Sequence, residues 1–141
     1  MIQRLELSAA HRARIAAEAG AAFPRECCGL IEGIYEGEIA RVLALHPTAN
    51  YCPDPGRFEI DPAAHLRLLR TLRGTGRDII GCYHSHPGGR AEPSRRDGAD
   101  MRGEGFVWVI AALAGPDTPV AFAAFDGGTF QALSLAEPDH A

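Results

Sequence analysis

The sequence contains no lysine, and its basic residues do not outnumber its acidic ones. All 14 basic residues are arginine, and 18 acidic residues give a formal net charge of −4. A protein whose main partner is nucleic acid needs a surface excess of positive charge, so the composition disfavours that class. One local cluster, Arg90, Arg95, Arg96 and Arg102, leaves salt-dependent DNA binding open as a minor alternative.

Long apolar runs are also missing, and so is the cysteine spacing of a structural zinc site. No stretch of about eighteen apolar residues occurs, and no basic segment precedes an apolar core at the start, so we predict neither a membrane span nor a signal peptide. We therefore expect a cytoplasmic protein. The four cysteines (27, 28, 52 and 82) lack the C-x2-C spacing of a structural zinc site. Buried, reduced thiols are the expected state in that compartment.

With 141 residues, 46% hydrophobic, the chain is long enough for one domain with a core. We predict a single domain over residues 1–135 and a disordered tail over 136–141. Helices are predicted from Ser8 to about Ala22, from Asp61 to Gly74 with Leu66, Leu69 and Leu72 as the apolar stripe, and from Ser94 to about Gly103. Predicted strands cover 26–35, 38–45, 78–83, 106–113, 120–125 and 129–135, with a short leading strand in 1–7. This order indicates an α/β layered domain with a mixed sheet of about six strands and about three helices.

The segment from Asp78 to Asp97 carries most of the candidate chemistry. A buried strand over 78–83 runs into His84, and alternate side chains of an extended chain share a face, so His84 and His86 project together. Ser94 is a candidate N-cap, and Asp97 lies one turn further on the same side of that helix. If the Gly-rich loop folds this helix back over the strand end, Asp97 becomes a third ligand of one metal ion.

Two imidazoles and one carboxylate suit zinc, and three protein ligands leave the fourth tetrahedral position open for water. Zinc lowers the pKa of such a water to about 7. A separate base is still required to take the proton and deliver it to the product.

The pattern His-x-His-x7-Ser-x2-Asp, formed here by His84, His86, Ser94 and Asp97, resembles the motif of JAMM (MPN-plus) zinc metallopeptidases. The segment 24–33 is similar to the upstream glutamate segment of that family. The resemblance spans residues 1–135. It implies that His84, His86 and Asp97 bind Zn2+, that Glu26 is the general acid/base, and that Ser94 helps to hold the oxyanion.

The resemblance also implies a cytidine-deaminase-like sandwich and hydrolysis of an amide or isopeptide bond. Gly105 comes only eight positions after Asp97, so the chain resembles most the minimal bacterial branch, which acts on ubiquitin-like or sulfur-carrier proteins ending in Gly-Gly. Three alternatives remain open: release of cysteine from a sulfur-carrier adduct, trimming of a carrier precursor, and a non-catalytic MPN binding module.

Three further residues are weaker candidates for substrate contact. The loop from His46 to Phe58 contains three prolines, and loops of this length in compact domains are often functional. In relatives of this family the corresponding loop borders the groove for an extended peptide tail, which makes Asn50 and Phe58 candidates. A rigid proline-rich connector is the competing interpretation. Gly88 would leave room beside the metal for a narrow glycine-ended tail. Trp108, by contrast, is interpreted as a core residue and not as part of the site.

Overall fold

Over the residues that the computed structural model describes, 2–52, 58–91, 105–128 and 130–138, the chain forms seven strands and two helices. In chain order these are β1 (Arg4–Glu6), α1 (Ala9–Ala22), β2 (Cys28–Glu36), β3 (Ile39–Thr48), α2 (Pro62–Leu72), β4 (Asp78–Pro87), β5 (Val107–Leu113), β6 (Ala121–Asp126) and β7 (Ala132–Ala136). The strand order is β1-β3-β2-β4-β5-β6-β7, and β1 pairs with β7 as well as with β3, which closes the sheet.

The closed sheet of seven strands corrects the prediction of a layered sandwich with about six strands, and the described residues contain two of the about three predicted helices. The sheet is mixed as predicted, because β1 pairs in parallel with β3 and β7, and β4 with β5, while the other pairs are antiparallel. Closure depends on a three-residue strand, whose sequence cannot specify two distant partners. The predicted helix from Ser94 to about Gly103 and residues 139–141 of the predicted tail lie outside the described residues.

Both described helices begin where the capping residues predict. The Ser8 side chain accepts a hydrogen bond from the His11 amide at 3.1 Å, and Asp61 accepts one from the Ala63 amide at 2.9 Å. The predicted apolar stripe of α2 is wrong in part, since Leu66 and Leu69 are 47% and 49% exposed. Leu72 is buried as predicted, and Leu68 is buried in place of Leu66 and Leu69, because packing on the sheet selects one of the two faces that this leucine-rich helix offers.

The core lies on both sides of the sheet's central strands. All seven residues of β5 are buried, which confirms its prediction as a central strand. One cluster contains Ile15 of α1 with Tyr83 of β4, and the other contains Leu68 of α2 with Cys82 of β4. Successive β4 side chains thus point alternately toward α1 and toward α2, which sends His84 to the same side as Cys82.

Two strands, β3 and β4, extend three or more residues beyond their predicted ends. β3 continues to Thr48, so residues 46–48 belong to a strand and not to the predicted loop. An isolated bridge pairs Asn50 with Ile60 across the rest of that loop. β4 continues to Pro87 because its neighbour β5 pairs with it along residues 81–87. Both histidines therefore lie within a paired strand rather than beyond its end.

All four cysteines are free thiols, and three of them are buried, while Cys27 is partly exposed. None of the helices described is long and apolar enough to cross a membrane.

Candidate active site

The two motif histidines face each other at the end of β4. His84 is completely buried, His86 is half-buried, and their Nε2 atoms are 3.0 Å apart. Their ring centroids are 4.8 Å apart. The alternation of an extended strand brings the two rings to one face, and pairing of β4 with β2 and β5 fixes the backbone that carries them.

Glu26 joins these histidines from the segment just before β2. In the antiparallel register Cys28 lies opposite His84, so the chain two residues earlier comes level with His86. A carboxylate oxygen of Glu26 and one ring nitrogen each of His84 and His86 all lie within 4.8 Å of one another, and Glu26 is only 6% exposed. The fold thus brings a carboxylate from far upstream in the sequence to the pair of imidazoles.

Asn50 fixes the backbone around Glu26. Its Nδ2 donates to the Glu26 carbonyl oxygen at 3.0 Å, and its Oδ1 accepts from the amides of Cys52 and Glu59, each at 3.0 Å. These bonds tie the 50–60 loop to the segment that carries the carboxylate. A substrate contact by Asn50 stays a prediction, whereas its link to Glu26 was missed because no sequence signal pairs these positions.

The orientation of the His86 ring is set by a backbone carbonyl. Its Nδ1 lies 2.8 Å from the Arg90 oxygen, and a carbonyl oxygen can only accept, so Nδ1 carries the proton. In the neutral ring Nε2 then presents its lone pair toward His84. A backbone carbonyl on the far ring nitrogen is one of the usual outer partners of a metal-binding histidine.

Aromatic rings enclose His84. Phe58 stacks on its imidazole with centroids 4.2 Å apart and planes 17° apart, and Trp108 meets it edge-on at 5.3 Å. Phe130, at a φ of 55°, packs edge-on against Trp108 at 5.4 Å. Trp108 is 1% exposed, as its interpretation as a core residue required. A substrate contact by Phe58 stays a prediction, and its stacking on His84 was not foreseen.

Gly88 follows the exposed end of β4, and its backbone conformation explains why glycine occupies this position. Its φ is +69°, in the left-handed region that favours glycine, and a Cβ there would meet no described atom within 4 Å. Its amide donates to the Leu113 carbonyl at 2.7 Å. Its contact with substrate stays a prediction. Ser94 and Asp97 lie outside the described residues.

The donor atoms of this cluster fit zinc. Zinc–nitrogen bonds of about 2.0–2.1 Å at tetrahedral angles separate two nitrogens by about 3.4 Å, close to the 3.0 Å between the two Nε2 atoms. Burial raises the pKa of the neighbouring Cys27 thiol to about 11, although the Ser85 hydroxyl opposes the rise. Burial likewise raises the pKa of Cys28, so both thiols stay protonated at neutral pH.

Known proteins are similar in sequence to this chain over nearly its whole length. A family described as prokaryotic homologs of the JAB domain matches residues 8–125. A desampylase of Haloferax volcanii is 33% identical over 138 residues, covering 94% of this chain and 96% of that protein. A probable TtuB-protein conjugate cleaving protease of Thermus thermophilus is 39% identical over 80 residues, covering 56% of this chain and 51% of that protein.

A solved structure extends the similarity to the fold. The solution structure of a Desulfitobacterium hafniense protein superimposes with a TM-score of 0.81 at 26% sequence identity, covering 99% of this chain and 94% of that one.

Proposed function

Because the chain belongs to the family of prokaryotic homologs of the JAB domain, we propose that it is a zinc-dependent hydrolase. Its substrate is the amide or isopeptide bond at the C-terminal glycine of a ubiquitin-like or sulfur-carrier protein. The observation that carries this proposal is the convergence of the Glu26 carboxylate on the facing imidazoles of His84 and His86.

The names of two similar proteins support the substrate class. The Haloferax protein, which this chain matches over almost its full length, is a desampylase, and the Thermus protein is named for cleaving TtuB-protein conjugates. The second of these names describes cleavage of a protein conjugate. A protein conjugate whose carrier ends in Gly-Gly is accordingly the substrate that we propose for this chain.

In the proposed site His84 and His86 would hold zinc through their Nε2 atoms, and Asp97 would supply the third ligand. Zinc bound there supplies Lewis-acid chemistry, which acidifies water and polarises a carbonyl group. The Arg90 carbonyl keeps the His86 proton on Nδ1, which leaves Nε2 available as a ligand. The rings of Phe58 and Trp108 hold the His84 imidazole in place.

Glu26 acts as the general acid/base. Its carboxylate takes a proton as the water oxygen attacks the carbonyl carbon, and it gives that proton to the amine nitrogen as the C–N bond breaks. Ser94 donates a hydrogen bond to the oxygen that becomes negative in the tetrahedral intermediate. The products are a carrier with a free C-terminal carboxylate and a free amine.

The test uses the purified chain, loaded with zinc, and three substrates made from one Gly-Gly carrier. The carrier is joined to a lysine side chain of a second protein, to the amine of free cysteine, or to a short C-terminal extension. Intact-mass spectrometry identifies which bond is cleaved, with a chelated sample as the control. Cleavage of the first, second or third substrate separates the isopeptidase from cysteine release and precursor trimming. Cleavage of none would refute the hydrolase and favour a non-catalytic binding module.

A further inference from the structure

Ser85 lies between the two histidines on β4, with its side chain on the opposite face of the strand. It is completely buried. Its backbone amide donates to the Cys27 carbonyl at 3.1 Å, and its Oγ accepts from the Cys27 amide at 2.8 Å. In a regular antiparallel pair the second acceptor would be the backbone carbonyl of the facing residue. Here the serine hydroxyl takes the place of that carbonyl.

The hydrogen bond from the Cys27 amide to the Ser85 hydroxyl extends the contact between β4 and the segment before β2. The β2–β4 ladder has Cys28 opposite His84 as its last pair. The hydroxyl holds the next residue, Cys27, which directly follows Glu26. With Asn50 bonded to the Glu26 carbonyl on the other side, the backbone that carries the carboxylate is fixed at two points.

We propose that Ser85 is a positioning residue for the reaction: by holding the Cys27 amide, its hydroxyl places the Glu26 carboxylate beside His84 and His86. This inference rests on the proposed function, in which Glu26 moves the proton. Ser85 touches neither the substrate nor the metal, because its side chain points away from the face that carries the imidazoles.

The first test is the Ser85→Ala variant. It leaves the Cys27 amide without its acceptor and lets the Glu26 segment shift, and a displacement of about 1 Å at a reacting group can cost about 100-fold in rate. We expect kcat to fall about 10- to 100-fold, with KM and bound zinc unchanged. Ser85→Thr keeps the hydroxyl and should restore most of kcat. Ser134→Ala, at an exposed strand position, is the matched control.

Two further measurements separate positioning from a general loss of structure. Ser85→Cys fills a similar volume with a weak acceptor, so it should lower kcat even if Ser85→Ala does not fold. In a Glu26→Gln background, Ser85→Ala should change the residual rate little, because both substitutions act through one carboxylate.

An unchanged kcat in the folded Ala and Cys variants would overturn the inference. So would zinc loss in proportion to activity, or an equal fold-loss in the two Glu26 backgrounds. Cleavage by the unmodified chain separates failure of the proposed function from failure of this inference alone. If it cleaves none of the three carrier substrates, the proposed function fails and this inference fails with it; if it cleaves one while the Ser85 variants match it, only this inference fails.

Discussion

The Phe58 ring lies flat against the His84 imidazole, 4.2 Å from centroid to centroid. Phe58 belongs to the loop after β3 and His84 to β4, so the stacking ties that loop to the candidate metal site. Ring stacking of this kind contributes about 0.5–1.5 kcal/mol beyond the area it buries. The loop therefore helps to hold the His84 imidazole, one of the proposed ligands, in place.

Phe58→Ala should weaken zinc binding about 2- to 10-fold, because the imidazole loses the ring that restricts its rotation. A competition titration against a chromogenic chelator measures the affinity. Phe58→Tyr, which keeps the ring, is the control and should bind zinc like the unmodified chain. Equal affinities in all three proteins would show that the stacking does not support the ligand.

Glu26→Gln should lower kcat about 10²- to 10⁴-fold while zinc stays bound, since an amide cannot accept and return the proton. Cleavage of the carrier conjugate gives kcat, and metal analysis of the same sample gives the zinc content. Glu38→Gln, at an exposed position between β2 and β3, is the matched control. Full activity in Glu26→Gln would assign the proton transfer to another group.

Zinc should stabilise the metal-free chain, because a ligand that binds only the folded state adds about 2.7 kcal/mol at a concentration 100 times its Kd. After chelation, zinc should raise Tm and restore cleavage, whereas magnesium, which prefers oxygen ligands, should do neither. His86→Ala should abolish the rise in Tm, and His65→Ala on α2 should retain it. An equal rise in His86→Ala would place the stabilising zinc elsewhere.

Glu32 should make the protein sensitive to acid. Burial raises the pKa of this carboxyl, but Arg77 and His46, each 2.8 Å away, outweigh burial and lower the pKa below its usual 4.5. The folded state therefore binds this proton less readily than the unfolded state. The resulting stability is fully present above about pH 4.5 and is lost as the pH falls through the lower folded-state pKa.

The Glu32→Gln variant tests this sign. At pH 7 it should lower the free energy of unfolding by roughly 1–3 kcal/mol, and the difference from the unmodified chain should shrink toward pH 3. Thermal unfolding across that range measures both, with exposed Glu59→Gln as the control. A difference that grows toward low pH would contradict the assigned direction.

Gly81→Ala should strongly destabilise the fold, because a Cβ at Gly81 would overlap the backbone carbonyl of Val107 on β5. Backbone atoms cannot move aside without breaking the β4–β5 pairing, so we expect a loss of at least about 1–3 kcal/mol. Gly115→Ala is the control, since its Cβ would lie 3.4 Å from a Thr118 methyl group. Thermal unfolding compares them, and equal Tm values would show that β5 can move away.

The sequence by itself determined the local elements and part of the site. Ser8 and Asp61 marked both described helix starts, and the unbroken apolar run of β5 marked a buried strand. Alternation along the chain put His84 and His86 on one face, because that relationship depends only on extended backbone geometry. The family pattern supplied Glu26, Ser94 and Asp97, whose catalytic and ligand roles stay predictions.

Tertiary structure alone decided which elements meet. Hydrophobic periodicity reports that a face is buried but not what covers it, so it could not show that β1 joins β3 to β7, or that Leu68 rather than Leu66 packs on the sheet. For the same reason it gave no sign of Phe58 on His84, or of the Ser85 hydroxyl on the Cys27 amide. Such contacts join residues far apart in the chain, and their partners are fixed only when the whole sheet closes.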